Sequence, residues 1–194
     1  MPDSGILAPA QKRVQLDLGA AASSSDLIRQ FVAAAFRSVD EPVAKLKRAG
    51  FSGPNISAYK NNGHAPKSSS ASLETLIRIA HACELNLHVA VTASNEAGSQ
   101  SIFEVAFMAN TDDRRLCHGA AQIYAGVREL LNVSQQRLAK KQGTEQGVIS
   151  QRERGYRTRK APQVWPRIET LRKTALKSGV SISIILRPQM SGPH

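Results

Sequence analysis

Aromatic residues make up only 5% of this 194-residue chain, too few for the stacking surface on which single-strand binders hold bases. Its two cysteines, Cys83 and Cys117, stand far apart and outside any Cys-x-x-Cys or Cys/His pattern. That excludes a disulfide framework and a zinc site, and leaves two reduced thiols packed as small apolar groups. His81 and His88 fall in different predicted elements without a third partner, so no metal is expected. No apolar run approaches the roughly 18 residues that span a bilayer, and the chain starts without a basic-then-apolar leader. No membrane partner and a cytoplasmic location are therefore expected. No Ser/His/Asp set, Gly-rich phosphate loop or paired-carboxylate motif appears at an informative spacing, so neither an enzyme nor a cofactor is expected.

Acidic residues are also in deficit, 15 against 26 Lys and Arg, for a formal charge of +11. The distribution is more telling than the total. Residues 1–110 hold ten Lys and Arg against nine Asp and Glu, whereas residues 111–194 hold sixteen against six, so the second half carries +10 of the excess. One module is thereby marked for a polyanion, most often nucleic acid, although an anionic membrane or an acidic protein would also serve; with so few aromatics double-stranded DNA is the expected partner.

What is present is a repeat. SLETLIRIAHACELNLHVAV (72–91) returns without a gap as RIETLRKTALKSGVSISIIL (167–186), 95 residues further on. Glu74, Thr75, Leu76 and Ala80 return as Glu169, Thr170, Leu171 and Ala175, while Leu73, Arg78 and Val89 return as Ile168, Lys173 and Ile184. In both copies helical spacing gives way to strict alternation at the same point, so each half ends in a helix followed by a strand.

Residues 1–22 read as a flexible N-terminal arm with one alternating stretch, Val14, Leu16 and Leu18, that forms a short strand. A first half spans 23–110. Its first helix is capped at Ser25 or Asp26 and runs to about Ser38; a second starts near Asp40, with Pro42 in its first turn, and stops at Gly50. A third begins after Pro54 and ends near Asn61, Asn62 and Gly63; after a loop at 64–71, Ser72 caps a fourth. Strand 85–92 pairs with 101–109 across a turn at 95–100. Residues 110–119 read as the linker to a second, basic half, 111–194. There Ile123, Val127 and Leu130 line the first helix, Gly143 and Gly155 end the next two, a helix starts near Gln163, and strand 180–187 buries Val180, Ile182, Ile184 and Leu186. Alternating apolar strands cannot stay unpaired, so 85–92, 101–109 and 180–187 are expected to share one sheet, within the chain or across a homodimer built on the C-terminal strands.

VSQQRLAKKQGTEQGVISQRERG (133–155) resembles the helix-turn-helix of the phage-repressor-like family, called Xre or Cro/CI-like. Val133-Ser134-Gln135 is similar to the start of its positioning helix, Ala139 to the small residue between the helices, and Gly143 to its turn. Ile149-Ser150 and Glu153-Arg154-Gly155 are similar to the body and end of its recognition helix. The helix at 72–80 is similar to the one that follows this motif in many members. Gln142, Thr144 and Arg152 depart from the family by being polar where it is usually apolar. In the first half, DEPVAKLKRAGFSGPNISAYKNNG (40–63) places Ala44 twelve residues before Ile56 instead of ten.

The resemblance implies a mainly α protein with two tandem lambda-repressor-like domains, each closed by C-terminal strands that form a small shared sheet. It implies a sequence-specific, double-stranded DNA-binding regulator on the bacterial nucleoid, most simply a repressor of phage, plasmid or mobile-element genes. The alternative is an antitoxin-like module that binds a toxin or other protein partner and autoregulates its operon. A recognition helix needs short polar side chains toward the groove, for which Thr144, Glu145, Gln146, Gly147, Ser150 and Gln151 are the candidates. Gln146 suits adenine, Glu145 suits cytosine or a neighbouring Arg, and Gly147 permits close approach. Gln135 is placed by the resemblance to hold a phosphate and brace the recognition helix. Arg154, Arg157, Arg159 and Lys160 are expected on phosphates, and Asn55, Ser57 and Lys60 are the first half's candidates.

Overall fold

The computed structural model describes residues 14–63, 71–94, 100–155 and 165–189. Its elements are β1 (Val14–Asp17), α1 (Ser24–Phe36), α2 (Pro42–Arg48), α3 (Gly53–Asn62), α4 (Leu73–Ala82), β2 (Leu85–Ser94), β3 (Gln100–Phe107), α5 (Asp113–Leu130), α6 (Gln135–Gln142), α7 (Gln146–Arg154), α8 (Ile168–Ser178) and β4 (Ser181–Pro188). Each half is thus a strand, four helices and a strand. The fold is mixed, helices against one four-stranded antiparallel sheet in the order β1-β4-β2-β3. Among the described residues no helix is long and apolar enough to cross a membrane. The expected loop 64–70 and most of the turn at 95–100 lie outside the described residues, as do Arg157, Arg159 and Lys160.

Local chemistry explains most boundaries. The side chains of Ser23, Ser52, Ser72, Asp112 and Ser134 each accept the backbone N–H three residues on, satisfying a donor that the first helical turn leaves without a partner. The cap of α1 is therefore Ser23, not Ser25 or Asp26, because Ser23 is the residue still in extended conformation (φ −150°). Helix α2 starts at Pro42 behind Glu41 rather than at Asp40. Helix α8 starts at Ile168, five residues after the expected Gln163. Two readings change more. Residues 113–119, expected in a linker, are the first two turns of α5, where Leu116, Cys117 and Gly119 are buried. Residues 14–17, expected as a short strand within a flexible arm, do form a strand, but it is built into the sheet as its edge, and Leu18 after them is fully buried.

The repeat is expressed as a local two-fold axis. In the antiparallel β2–β4 ladder Val89 pairs with Ile184, the residue that corresponds to it in the repeat. Leu73 N–H donates to Pro166 O at 2.8 Å, and the corresponding Ile168 N–H donates to Ala71 O at 3.0 Å. The bridge between them pairs Ser72 with Arg167, again corresponding positions. Such reciprocity, each residue meeting its own counterpart, is the signature of an isologous interface between two copies, here within one chain. The outer strands obey the same axis once β3, read from the sequence as the end of the first half, is counted as the leading strand of the second: β1 of the first half pairs with β4 of the second, and β3 of the second pairs with β2 of the first. Each half lends its leading strand to the other. β4 consequently has both edges occupied, and among the described residues β1 and β3 are the outer strands of the sheet.

One face of the sheet is apolar. Leu87, Val89, Val91, Phe107, Ile182, Ile184 and Leu186 on that face join Leu27, Phe31, Leu76, Ile123, Leu171 and others in a core continuous through both halves. Helix α5 lies close on β3; a Cβ at Gly126 would run into the Phe103 ring. The other face is polar at its centre, where Glu104 meets His88 at 2.7 Å and Arg187 at 2.9 Å. Both cysteines are buried, and burial pushes the Cys83 thiol up to about 11, so it stays protonated. Trp165 packs partly buried against the core.

The register makes a direct prediction. Ile184, 1% exposed on the axis, should lose several kcal/mol of stability on substitution by Asp, because a charge enters the core without a partner. Ile102→Asp, at 64% exposure on the other face of β3, should change stability by less than about 0.5 kcal/mol. Chemical denaturation of the two variants checks the pairing; equal losses would mean the register is wrong.

Candidate functional site

The second half builds a helix pair whose geometry follows from three residues. Ala139 is small enough to sit buried between α6 and its neighbours, Gly143 ends α6 in the left-handed region (φ 64°), and Ile149 is the buried residue of α7. Thr144 N–H then donates to Ala139 O at 3.0 Å and closes the turn. The first half repeats this turn, Phe51 N–H donating to Leu46 O at 3.0 Å after Gly50 (φ 86°). Leu46, not Ala44, therefore occupies the place of Ala139, and it lies ten residues before Ile56, the spacing of the second half. The apparent two-residue irregularity came from matching alanine to alanine.

Two polar networks hold α7. Glu153, near the end of the helix with a side chain only 8% exposed, accepts from Arg128 Nε of α5 at 2.8 Å and from Gln135 Nε2 at 2.8 Å. Gln135 thus braces α7 through a carboxylate. The second network explains the polar residues at the turn. Gln142 is buried, donates to Ser178 Oγ at 3.0 Å and accepts from Arg152 Nη1 at 3.1 Å, while the Arg152 guanidinium lies over the Tyr124 ring at 5.6 Å. A buried amide and a half-buried guanidinium are tolerated because each has partners. Lys177 Nζ completes the set, donating to Gln142 O at 2.7 Å near the C-terminus of α6. Arg128, Ser178 and Lys177 did not stand out in the sequence, since each meets a residue 25 to 36 positions away.

With one side so held, the other side of α7 is open. Glu145, Gln146, Gly147, Gln151 and Arg154 are exposed and Ser150 is half-buried. Glu145 caps α7 through its backbone alone, so its carboxylate is not engaged in the cap, and Gly147 faces open space. Thr144 is placed apart from them, in a cleft against α8. Arg154 projects at the opposite end, beside Arg114, Arg115 and His118 of α5. Exposed Arg137, Lys140 and Lys141 add charge on α6.

The first half is plainer. Ser52 gives its hydroxyl to the cap, accepting from Asn55 N–H, and Gly53 and Pro54 follow, so the first turn of α3 presents little polar side chain. Asn55 is half-buried; Ser57 and Lys60 are exposed, with Asn61 Nδ2 donating to Ser57 Oγ at 3.3 Å. Beside this helix the Ser23 hydroxyl and then Arg29 hold the Asp26 carboxyl below its ordinary range, and Arg29 also reaches Asn61 O at 3.5 Å.

Glu153→Ala should cost about 2–3 kcal/mol, since it strands the partly buried Arg128 and Gln135, and should loosen α7 while leaving the sheet intact. Amide hydrogen exchange is the check: protection should fall in α6 and α7 and stay unchanged in β2 and β4.

Comparisons with protein families, with curated proteins and with solved structures give no match.

Proposed function

We propose that the protein is a sequence-specific, double-stranded DNA-binding regulator that places α7 in the major groove, most simply a repressor that occludes a promoter of phage, plasmid or mobile-element genes. The observation that carries this reading is the first turn of α7, where Glu145, Gln146 and Gly147 are exposed on a helix otherwise fixed by Ile149, Glu153 and Arg152. Groove readers need this division, a rigid inner side and short polar groups outside. Gln146 is the bidentate partner for adenine, Glu145 an acceptor for cytosine, and Gly147 lets the backbone approach; Ser150 and Gln151 extend the contact. The half that carries this helix holds +10 of the charge. Arg137, Lys140 and Lys141 are the cations for flanking phosphates.

The local two-fold supports the same reading, because a dyad-related pair of helix-turn-helix units suits an inverted-repeat operator. In this chain the pair is unequal. The half-site under α7 should be read closely, and the one under α3 loosely, since Gly53 and Pro54 stand where Gln146 and Gly147 stand in α7.

Selection of bound duplexes from a random pool is the first test, and a consensus with one strong and one weak half-site is expected. Gln146→Ala should weaken binding to the selected site by about 1–3 kcal/mol and relax preference at one base pair. Lys140→Ala should weaken specific and non-specific duplexes alike and lower the salt slope by about one unit. Unchanged affinity and base preference in Gln146→Ala would mean that α7 is not the reading helix.

A further inference from the structure

The turns α2–α3 and α6–α7 share one backbone and carry opposite chemistry. In the first half the ring of Phe51 fills the space beside the turn: Tyr59 meets it edge-on with centroids 6.5 Å apart, and the Arg78 guanidinium stacks on it at 4.9 Å. The corresponding residues of the second half are Thr144, Arg152 and Lys173, and the buried Ile79 is replaced by Thr174. Among the described residues nothing of the size of the Phe51 ring stands there. A cleft of about 260 Å³ opens instead between the turn, the inner side of α7 and α8.

Its lining is cationic. Arg152, Lys173 and Lys177 converge on it with the hydroxyls of Thr144 and Thr170, and no carboxylate is among the described residues that line it. The sister half shows why Lys173 is available. There Arg78 donates to the carbonyl of Ala49 at 3.0 Å, near the C-terminus of α2; here Lys177 serves the corresponding carbonyl of Gln142 at 2.7 Å. Lys173, in the place of Arg78, is relieved of that role, and its ion pair to Glu169 is long, at 3.5 Å, and largely exposed. Three like charges around a polar cleft repel one another until an anion joins them.

The geometry points to a binding site for a compact oxyanion of the phosphate class, held by Lys173, Lys177 and Arg152, with Thr144 and Thr170 donating their hydroxyls. A tetrahedral oxyanion offers several acceptor oxygens, which matches three cations and two hydroxyls approaching from different elements. The cleft falls just below the roughly 300–1,000 Å³ of pockets for drug-sized ligands, so the phosphate comes with little attached or from a backbone reaching in. Because Thr144 belongs to the turn and Arg152 to α7, occupancy ties the exposed helix to α8.

Thermal unfolding of the full chain in inorganic phosphate, against chloride of equal ionic strength, tests the site without DNA. The Tm should rise with the logarithm of phosphate concentration above its Kd, by about 2–4 °C once phosphate exceeds its Kd several-fold. Lys173→Gln should weaken the apparent phosphate affinity about tenfold without lowering Tm in chloride, because its ion pair contributes little and one of three mutually repelling cations is removed. Thr170→Val should weaken it less. A rise that is linear in phosphate and equal in Lys173→Gln is the general effect of an excluded salt and overturns the site. If the logarithmic rise disappears when duplex DNA is bound, the backbone supplies the oxyanion; if it persists in the complex, the ligand is a free molecule. Both results support the site, and a protein that binds no duplex at all leaves the phosphate titration decisive.

Discussion

The pairing of β2 with β4 about Val89 and Ile184 is the interaction from which the rest of the architecture follows. These strands are the inner pair of the sheet, and each also holds the leading strand of the opposite half. A half on its own would present Leu87, Val89 and Val91, or Ile182, Ile184 and Leu186, on a strand lacking both neighbours, and such edges do not remain exposed in water. Reciprocal hydrogen bonds at Leu73 and Ile168 anchor the starts of α4 and α8 across the same axis. The two sets of helices therefore take their relative positions from the sheet.

Around this axis the two halves keep the backbone and change the side chains. Glu84 occupies a left-handed position (φ 57°) where the second half has Gly179 (φ 70°). Strain of this kind persists only when the surroundings impose it, and here the Glu84 backbone is held on both sides, its N–H donating to His81 O at 3.0 Å and its carbonyl accepting from Gln189 N–H at 3.0 Å. Leu46 stands for Ala139, Phe51 for Thr144, and Tyr59 for Arg152, so apolar filling in the first half becomes a hydrogen-bonded polar interior in the second. The first half thus suits a supporting role, and the second carries the charge and the exposed polar turn. Freed from the need to encode two separate domains, the duplicated chain has one unit that packs and one that presents chemistry.

Much of this was legible in advance because its causes are local. Capping hydroxyls, glycines after helices and the change from helical to alternating periodicity act within a few residues, which is why the turns at Gly143 and Gly155 and the strand after each repeat match the sequence reading. The exposed set Glu145, Gln146, Gly147 and Gln151 follows from the same local pattern once Ile149 is buried. The polar residues Gln142 and Arg152 stood out only as exceptions, since their partners Ser178 and Tyr124 lie a helix or more away in the chain.

Sequence by itself determined the elements, their duplication and the concentration of charge in one half, because composition and periodicity are properties of single segments. The β2–β3 hairpin was legible too, but tertiary structure alone decided that β4 lies between β2 and β1. The stretch of Val14, Leu16 and Leu18 has too few residues to declare a partner, and the strand it forms pairs with β4, some 170 residues further on. It also decided that residues 113–119 are helix rather than linker, since α5 gains its first turns by burying Leu116 and Gly119 against the sheet. The cleft beside Thr144 belongs to the same class. A missing aromatic ring leaves no mark in the sequence until the sister half shows, in Phe51, what fills that space.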